Sequence, residues 1–166
     1  HQGLLDVPFL KSIPGAVIYS PSSYEEMKID FELAVDGKDS IVAVRYPRGC
    51  EGYLPQKYEA MDKTYSVYGK KSSTVAIITY GSLFSQSALA LKKLSEYDID
   101  IKIIKLNRIW PIDKKVVNEL KKVDTAIFFE EGMKSGGIGE SFASLILESG
   151  LELSYSHIAV ENTFVH

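Results

Sequence analysis

The chain has 166 residues, 45% of them hydrophobic and 25% charged, and its 19 Lys+Arg against 22 Asp+Glu leave a net charge of −3. That is the composition of a globular protein of one domain or a little more, long enough for a substantial core, with no general pull toward nucleic acid or an anionic membrane. The single cysteine, Cys50, excludes an internal disulfide, and His1, His157 and His166 have no H-x-x-x-H spacing to suggest zinc.

Strand and helix signals alternate along the chain. "AVIYSP" (16–21) is a short apolar run closed by Pro21, read as a buried strand. A helix follows from Ser22 or Ser23 as cap, with Glu25 and Glu26 in its first turn and Met27, Phe31, Leu33 and Ala34 as its stripe. "IVAVRYP" (41–47) is a second strand. Between 49 and 73 the periodicity disappears into Gly, Lys, Tyr and Ser, which predicts a linker with room for a small hairpin. Order resumes with a strand at 74–81 and a helix at 82–97 capped by Ser82. A strand over 99–111 and a helix over 113–123 capped by Asp113 come next. A strand at 125–132, a helix at 137–150 closed by Gly150 and a last strand at 153–160 complete the pattern. Units of this kind predict parallel pairing with right-handed crossovers, an α/β fold in helix–sheet–helix layers. Residues 74–166 are enough for a compact domain, whereas 1–48 hold two strands and two helices, too little for a covered sheet, and read as the end of a domain whose beginning is absent. An apolar patch is therefore expected on 1–48.

Three stretches could carry chemistry. "RYPRG" (45–49) places Arg45 and Arg48 at a strand end, where two guanidiniums could grip a phosphate or carboxylate, or simply lie solvated. "EEGMKSGGIGE" (130–140) runs from a strand into a helix. Its glycines could turn backbone N–H groups toward an anion, but the spacing is not G-x-G-x-x-G, and a tight turn without ligand is at least as good a reading. Glu130 and Glu131 could do acid–base work, but no partner histidine is near in sequence, which favours a structural role. "NRIWPID" (107–113) is a packed turn or an Arg–Trp interface. His1 alone is a tag remnant or a working residue, and Cys50 reads as incidental.

Together these pieces say more. "HQG" (1–3), "SIPG" (12–15), "YPRG" (46–49) and "EEG…GGIG" (130–139), in this order, resemble the C-terminal part of the 1-deoxy-D-xylulose-5-phosphate synthases, thiamine-diphosphate enzymes of the transketolase superfamily. The resemblance implies domains at 1–49 (remnant of a pyrimidine-binding domain), 50–73 (linker) and 74–166 (transketolase C-terminal-like). It makes His1 catalytic, facing the cofactor's reactive carbon, and Arg48 the holder of the acceptor's phosphate, with Arg45 a weaker candidate. The family condenses pyruvate, after decarboxylation, with glyceraldehyde 3-phosphate, feeding isoprene and thiamine biosynthesis in the cytoplasm.

The resemblance also implies what to seek elsewhere. Thiamine diphosphate and Mg²⁺ are held in the family by a "GDG…N" motif, and an activating Glu precedes the "HQG" histidine; neither is in this chain. No cofactor is expected on this piece alone, and no activity. Its expected partners are the N-terminal portion of the same enzyme or a separate subunit, and a second copy in a homodimer, with no nucleic acid and no membrane. Two other readings stand beside this one: a non-catalytic dimerisation or docking module, and a piece of a transketolase or of a 2-oxoacid dehydrogenase β subunit.

Overall fold

The computed structural model describes residues 3–36, 41–60, 62–161 and 163. Two sheets share the chain. The smaller unit contains α1 (Asp6–Lys11), β1 (Ala16–Tyr19), α2 (Tyr24–Asp36) and β2 (Ile41–Val44). The larger contains β3 (Tyr65–Gly69), β4 (Val75–Tyr80), α3 (Leu83–Ser95), β5 (Lys102–Leu106), β7 (Thr125–Met133), α4 (Ile138–Glu148) and β8 (Ser154–Val160). The short strand β6 (Arg108–Trp110) and a 3-10 helix (Lys114–Leu120) lie between β5 and β7.

The five-stranded sheet has the order β3-β5-β4-β7-β8 and the three-stranded sheet β2-β1-β6. Strand β4 is central, with β5 and β7 parallel on either side and β8 parallel to β7. The first crossover runs one way along the sheet and the later two run the other. Right-handed connections therefore put α3 on one face, and the 3-10 helix and α4 on the other. The α/β class and the layered arrangement are as expected.

Four details differ from the sequence reading. The stretch read as linker contains β3, an edge strand antiparallel to β5, with Tyr65 and Val67 packed against the core. Its two-residue alternation is masked by flanking Lys, Ser and Gly. The strand expected over 99–111 breaks at Asn107, so that β5 and β6 enter different sheets. The helix expected over 113–123 is a 3-10 helix, although Asp113 caps it as expected by accepting from Lys115 N at 2.9 Å. Pairing is not uniformly parallel, because β3–β5 and β1–β6 are antiparallel.

Strand β6 joins the two units. It pairs with β1 through Ile18↔Trp110 and Tyr19↔Arg108. Ile18 and Ile109, both without exposed surface, belong to the same cluster as Ile78, Ile104, Phe128 and Phe142 of the larger sheet. One core therefore runs through both units. Ile109→Ala should lower stability by about 3 kcal/mol, the usual cost of a large-to-small change in a closed core. Unfolding of the native chain in urea should give one transition, with the fluorescence of Trp110, the only tryptophan, coinciding with far-UV circular dichroism; two separated transitions would show two independent cores.

Candidate functional site

Strand β2 ends at Val44, and Pro47 keeps the chain from continuing the ladder. The loop beyond it lines a cavity of about 530 Å³ at the boundary of the two units. One wall is the start of α2, with Ser22, Ser23 and Tyr24; the second is the loop from Tyr46 to Gly52; the third is the start of α3, with Ser82, Ser85 and Gln86. Arg48 lies exposed on this wall, next to the exposed thiol of Cys50. Glu51 fastens the loop to α2: its carboxylate accepts from Tyr24 N at 2.7 Å, and its backbone N donates to Tyr24 Oη at 3.3 Å. The cavity thus offers one free guanidinium, several hydroxyls and an apolar floor including Met27.

Arg45 is not part of this wall. It is half-buried, and its Nη2 donates 2.8 Å to the backbone oxygen of Glu131. Its backbone N bonds Tyr19 O, and Ser20 Oγ donates to its carbonyl. The two arginines of "RYPRG" therefore serve different places: Arg48 faces the cavity, and Arg45 ties β2 to the end of β7. His1 lies outside the described residues. The segment just after it is held on the glycine turn that precedes α4. Met133 N donates to Leu4 O at 3.2 Å, and Lys11 Nζ donates to Gly137 O at 3.2 Å and Ser141 Oγ at 2.8 Å. Gly136, at φ +74°, leaves room for Pro8.

The "EEG…GGIG" turn does hold an anion at a helix N-terminus, and the anion is the protein's own. Glu130 is only 3% exposed. Its carboxylate accepts from Ile138 N and Gly139 N, both at 3.1 Å, and from Tyr80 Oη at 2.7 Å, and lies 2.5 Å from His157 Nε2. Three donors, the adjoining His157 ring nitrogen and a helix dipole compensate the buried carboxylate. Burial and that neighbouring charge push the Tyr80 phenol far above its ordinary range. The partner histidine that the sequence reading did not find is His157, 27 residues away. Parallel pairing of β7 with β8 sets it opposite Phe128. Glu131 is separate: it accepts from Ser82 Oγ at 2.6 Å, which is why Ser82 makes no side-chain cap on α3.

A second buried cluster was also missed. Lys105 Nζ lies 2.5 and 2.7 Å from the two Glu26 oxygens, with side chains 1% and 3% exposed. Glu26 also accepts from Ser22 N at 2.9 Å. Beside this pair Asn107 Nδ2 donates to Asp30 at 3.0 Å. Burial lowers the Lys105 ammonium, and Glu26 opposes that shift. The visible signal in the sequence is "KIIKL" (102–106), a strand buried at all five positions with a lysine at two of them.

Removing Glu130 should be costly. Glu130→Ala strands three donors and the His157 ring nitrogen and should destabilise by about 3 kcal/mol or more in urea unfolding. Gly139→Ala, whose Cβ would collide with the His157 ring, should also be destabilising; a neutral result at either position would refute this account of the turn.

Residues 65–166 match the family described as the transketolase C-terminal domain. Over 99% of its length the chain is 31% identical to 1-deoxy-D-xylulose-5-phosphate synthase of Clostridium perfringens (strain SM101 / Type A) and 26% identical to that of Trichormus variabilis. It is 31% identical over 98% of its length to that of Geobacillus sp. (strain WCH70). The chain spans about a quarter of these curated relatives, 27%, 27% and 25% of their lengths. Among solved structures, one titled "Split gene transketolase, inactive beta4 tetramer" superposes with a TM-score of 0.87 at 18% identity, over 100% of this chain and 55% of that one; at that identity the likeness concerns the fold. The family match covers more than half of the sequence, and the fold agrees with it: this chain belongs to the transketolase C-terminal domain family.

Proposed function

We propose that the chain works as the C-terminal part of a thiamine-diphosphate-dependent 1-deoxy-D-xylulose-5-phosphate synthase, and that Arg48 anchors the phosphate of glyceraldehyde 3-phosphate. The observation that carries this reading is the placement of Arg48, unpaired with any carboxylate among the described residues, on the wall of the inter-unit cavity. A guanidinium there can meet a dianionic phosphate with two parallel hydrogen bonds. Supporting it are the relatives of that name, which align with nearly the whole chain.

In this reading His1 moves a proton at the substrate oxygen, a task suited to an imidazole titrating near neutrality. Arg45 holds rather than binds: its bond to Glu131 O fixes the strand from which the Arg48 loop departs. The residues here do not fit the cofactor. The sequence has no "GDG" motif, and the described residues contain no cluster of three or more His, Cys, Asp or Glu able to hold a metal. Thiamine diphosphate and Mg²⁺ are therefore assigned to the remaining portion of the whole enzyme, together with the binding of pyruvate. No helix of the described residues is long and apolar enough to cross a membrane, and a cytoplasmic setting is proposed with the activity.

Several apolar side chains exposed on the smaller unit support this assembly. Leu5, Phe9, Phe31, Val35 and Tyr46 are exposed, Val35 by 82%. Apolar area of this kind is typical of a face that a partner covers, here the remaining portion of the enzyme or, in a homodimer, a second copy.

Two measurements test this function. Titration with inorganic phosphate or glyceraldehyde 3-phosphate should move the backbone amide resonances of Arg48 to Gly52. Arg48→Ala should weaken the response roughly 10- to 100-fold, the worth of a charge-assisted bidentate contact; an unchanged titration in the variant would remove Arg48 from the role. Sedimentation velocity should show association that rises with protein concentration, and a strictly monomeric profile at high concentration would argue against the exposed face as an interface.

A further inference from the structure

Asp30 and Asn107 meet where α2 of the smaller unit crosses the β5–β6 junction. Asp30 has no exposed surface and Asn107 3%. They share one hydrogen bond, Asn107 Nδ2 to Asp30 Oδ1 at 3.0 Å, and each keeps one buried acceptor, Asp30 Oδ2 and Asn107 Oδ1, without a donor among the described residues. Two orphaned acceptors on two side chains already joined is the arrangement of an acid–amide pair lacking its proton. A hydrogen on Asp30 Oδ2, donated to Asn107 Oδ1, would satisfy both.

We propose that Asp30 is a neutral carboxylic acid in the native state, closing a two-bond ring with the Asn107 amide, and that release of this proton loosens α2 from the β5–β6 junction. The local charge count agrees. Glu26 on the same helix and Lys105 on β5 already neutralise one another at 2.5 Å, and Tyr58 and Tyr68, which flank Glu26, add no cation. An ionised Asp30 would be a second buried anion sharing one ammonium. Burial raises the Asp30 carboxyl from 3.8 to about 7; the Asn107 bond opposes the shift, Glu26 adds to it and Lys105 opposes it.

The sign follows from linkage. Between the unfolded and folded values the native state binds a proton that the unfolded chain does not, so stability falls as pH rises toward about 7 and is level above it. Because α2 begins in the wall of the Arg48 cavity, the same proton sets how firmly that wall is held. This inference does not use the Arg48 reading and stands or falls separately from the assigned reaction.

The test is the carboxyl ¹³C resonance of Asp30 followed from about pH 5 to about pH 9, assigned by backbone connectivity and by its loss in Asp30→Asn. The expected result is a titration centred near neutrality. The folding equilibrium constant should fall about tenfold between about pH 6 and about pH 8, and the fall should be absent in Asp30→Asn, where the amide keeps the shape and a donor. A carboxylate resonance down to about pH 5 would overturn the proposal, as would an equal pH slope in the variant; should the variant not fold, the resonance of the native chain decides alone.

Discussion

Lys105 lies in the middle of a strand with no exposed position, and an ammonium there is tolerable only against Glu26. A buried pair of this kind adds little to net stability, since desolvation cancels much of the attraction, but separating it is expensive. It therefore acts as a constraint on geometry. The first turn of α2 must sit over β5, and the smaller unit must sit against the larger. From that follow the burial of Asp30 against Asn107, the seating of Tyr58 on Ser23 at 2.7 Å and the position of Ser22 to Tyr24 in the cavity wall. The Arg48 loop is then fixed from both ends, by Glu51 on Tyr24 and by Arg45 on Glu131.

The opposite side of the molecule depends on a second internal charge. Glu130 draws the start of α4, the Tyr80 phenol and the His157 ring to one point. The turn built around it carries Met133 and Gly137, which grip Leu4 and Lys11. The described segment from Leu4 to Lys11 is thus held by the larger unit as well as by β1 of its own. The two units are tied on both faces, which explains why one hydrophobic cluster runs through them.

Much of the fold was legible because it rests on local signals. Apolar runs closed by Pro21 and Gly81, the Ser23 hydroxyl that accepts from Glu26 N, and the Asp113 cap all behave as their residue types demand. The misses share one cause, which is dependence on distant partners. Tyr65 to Gly69 becomes a strand because β5 offers it an edge, and "IKLNRIW" breaks at Asn107 because β1 claims Arg108 to Trp110. The site divided in the same way. Arg45 and Arg48 were both marked by their place after a strand, and only the resemblance set Arg48 first, whereas the separation of Arg45 from it, the Glu130–His157 pair and the Glu26–Lys105 pair are long-range pairings that no spacing in the sequence announces. The glycine turn shows the limit best: its residues imply an anion at a helix start, but only the packing says that the anion is Glu130.

In the proposed function this chain is one contributor to a shared site: Arg48 is proposed as the phosphate anchor and His1 as the proton-transferring group, with the cofactor assigned to the rest of the enzyme. The most direct measurement is CO₂ release from pyruvate by the purified chain alone, with glyceraldehyde 3-phosphate, thiamine diphosphate and Mg²⁺ present. The account predicts no release above the protein-free control. Sustained release would contradict it, because this chain would then hold a complete cofactor site among its own residues.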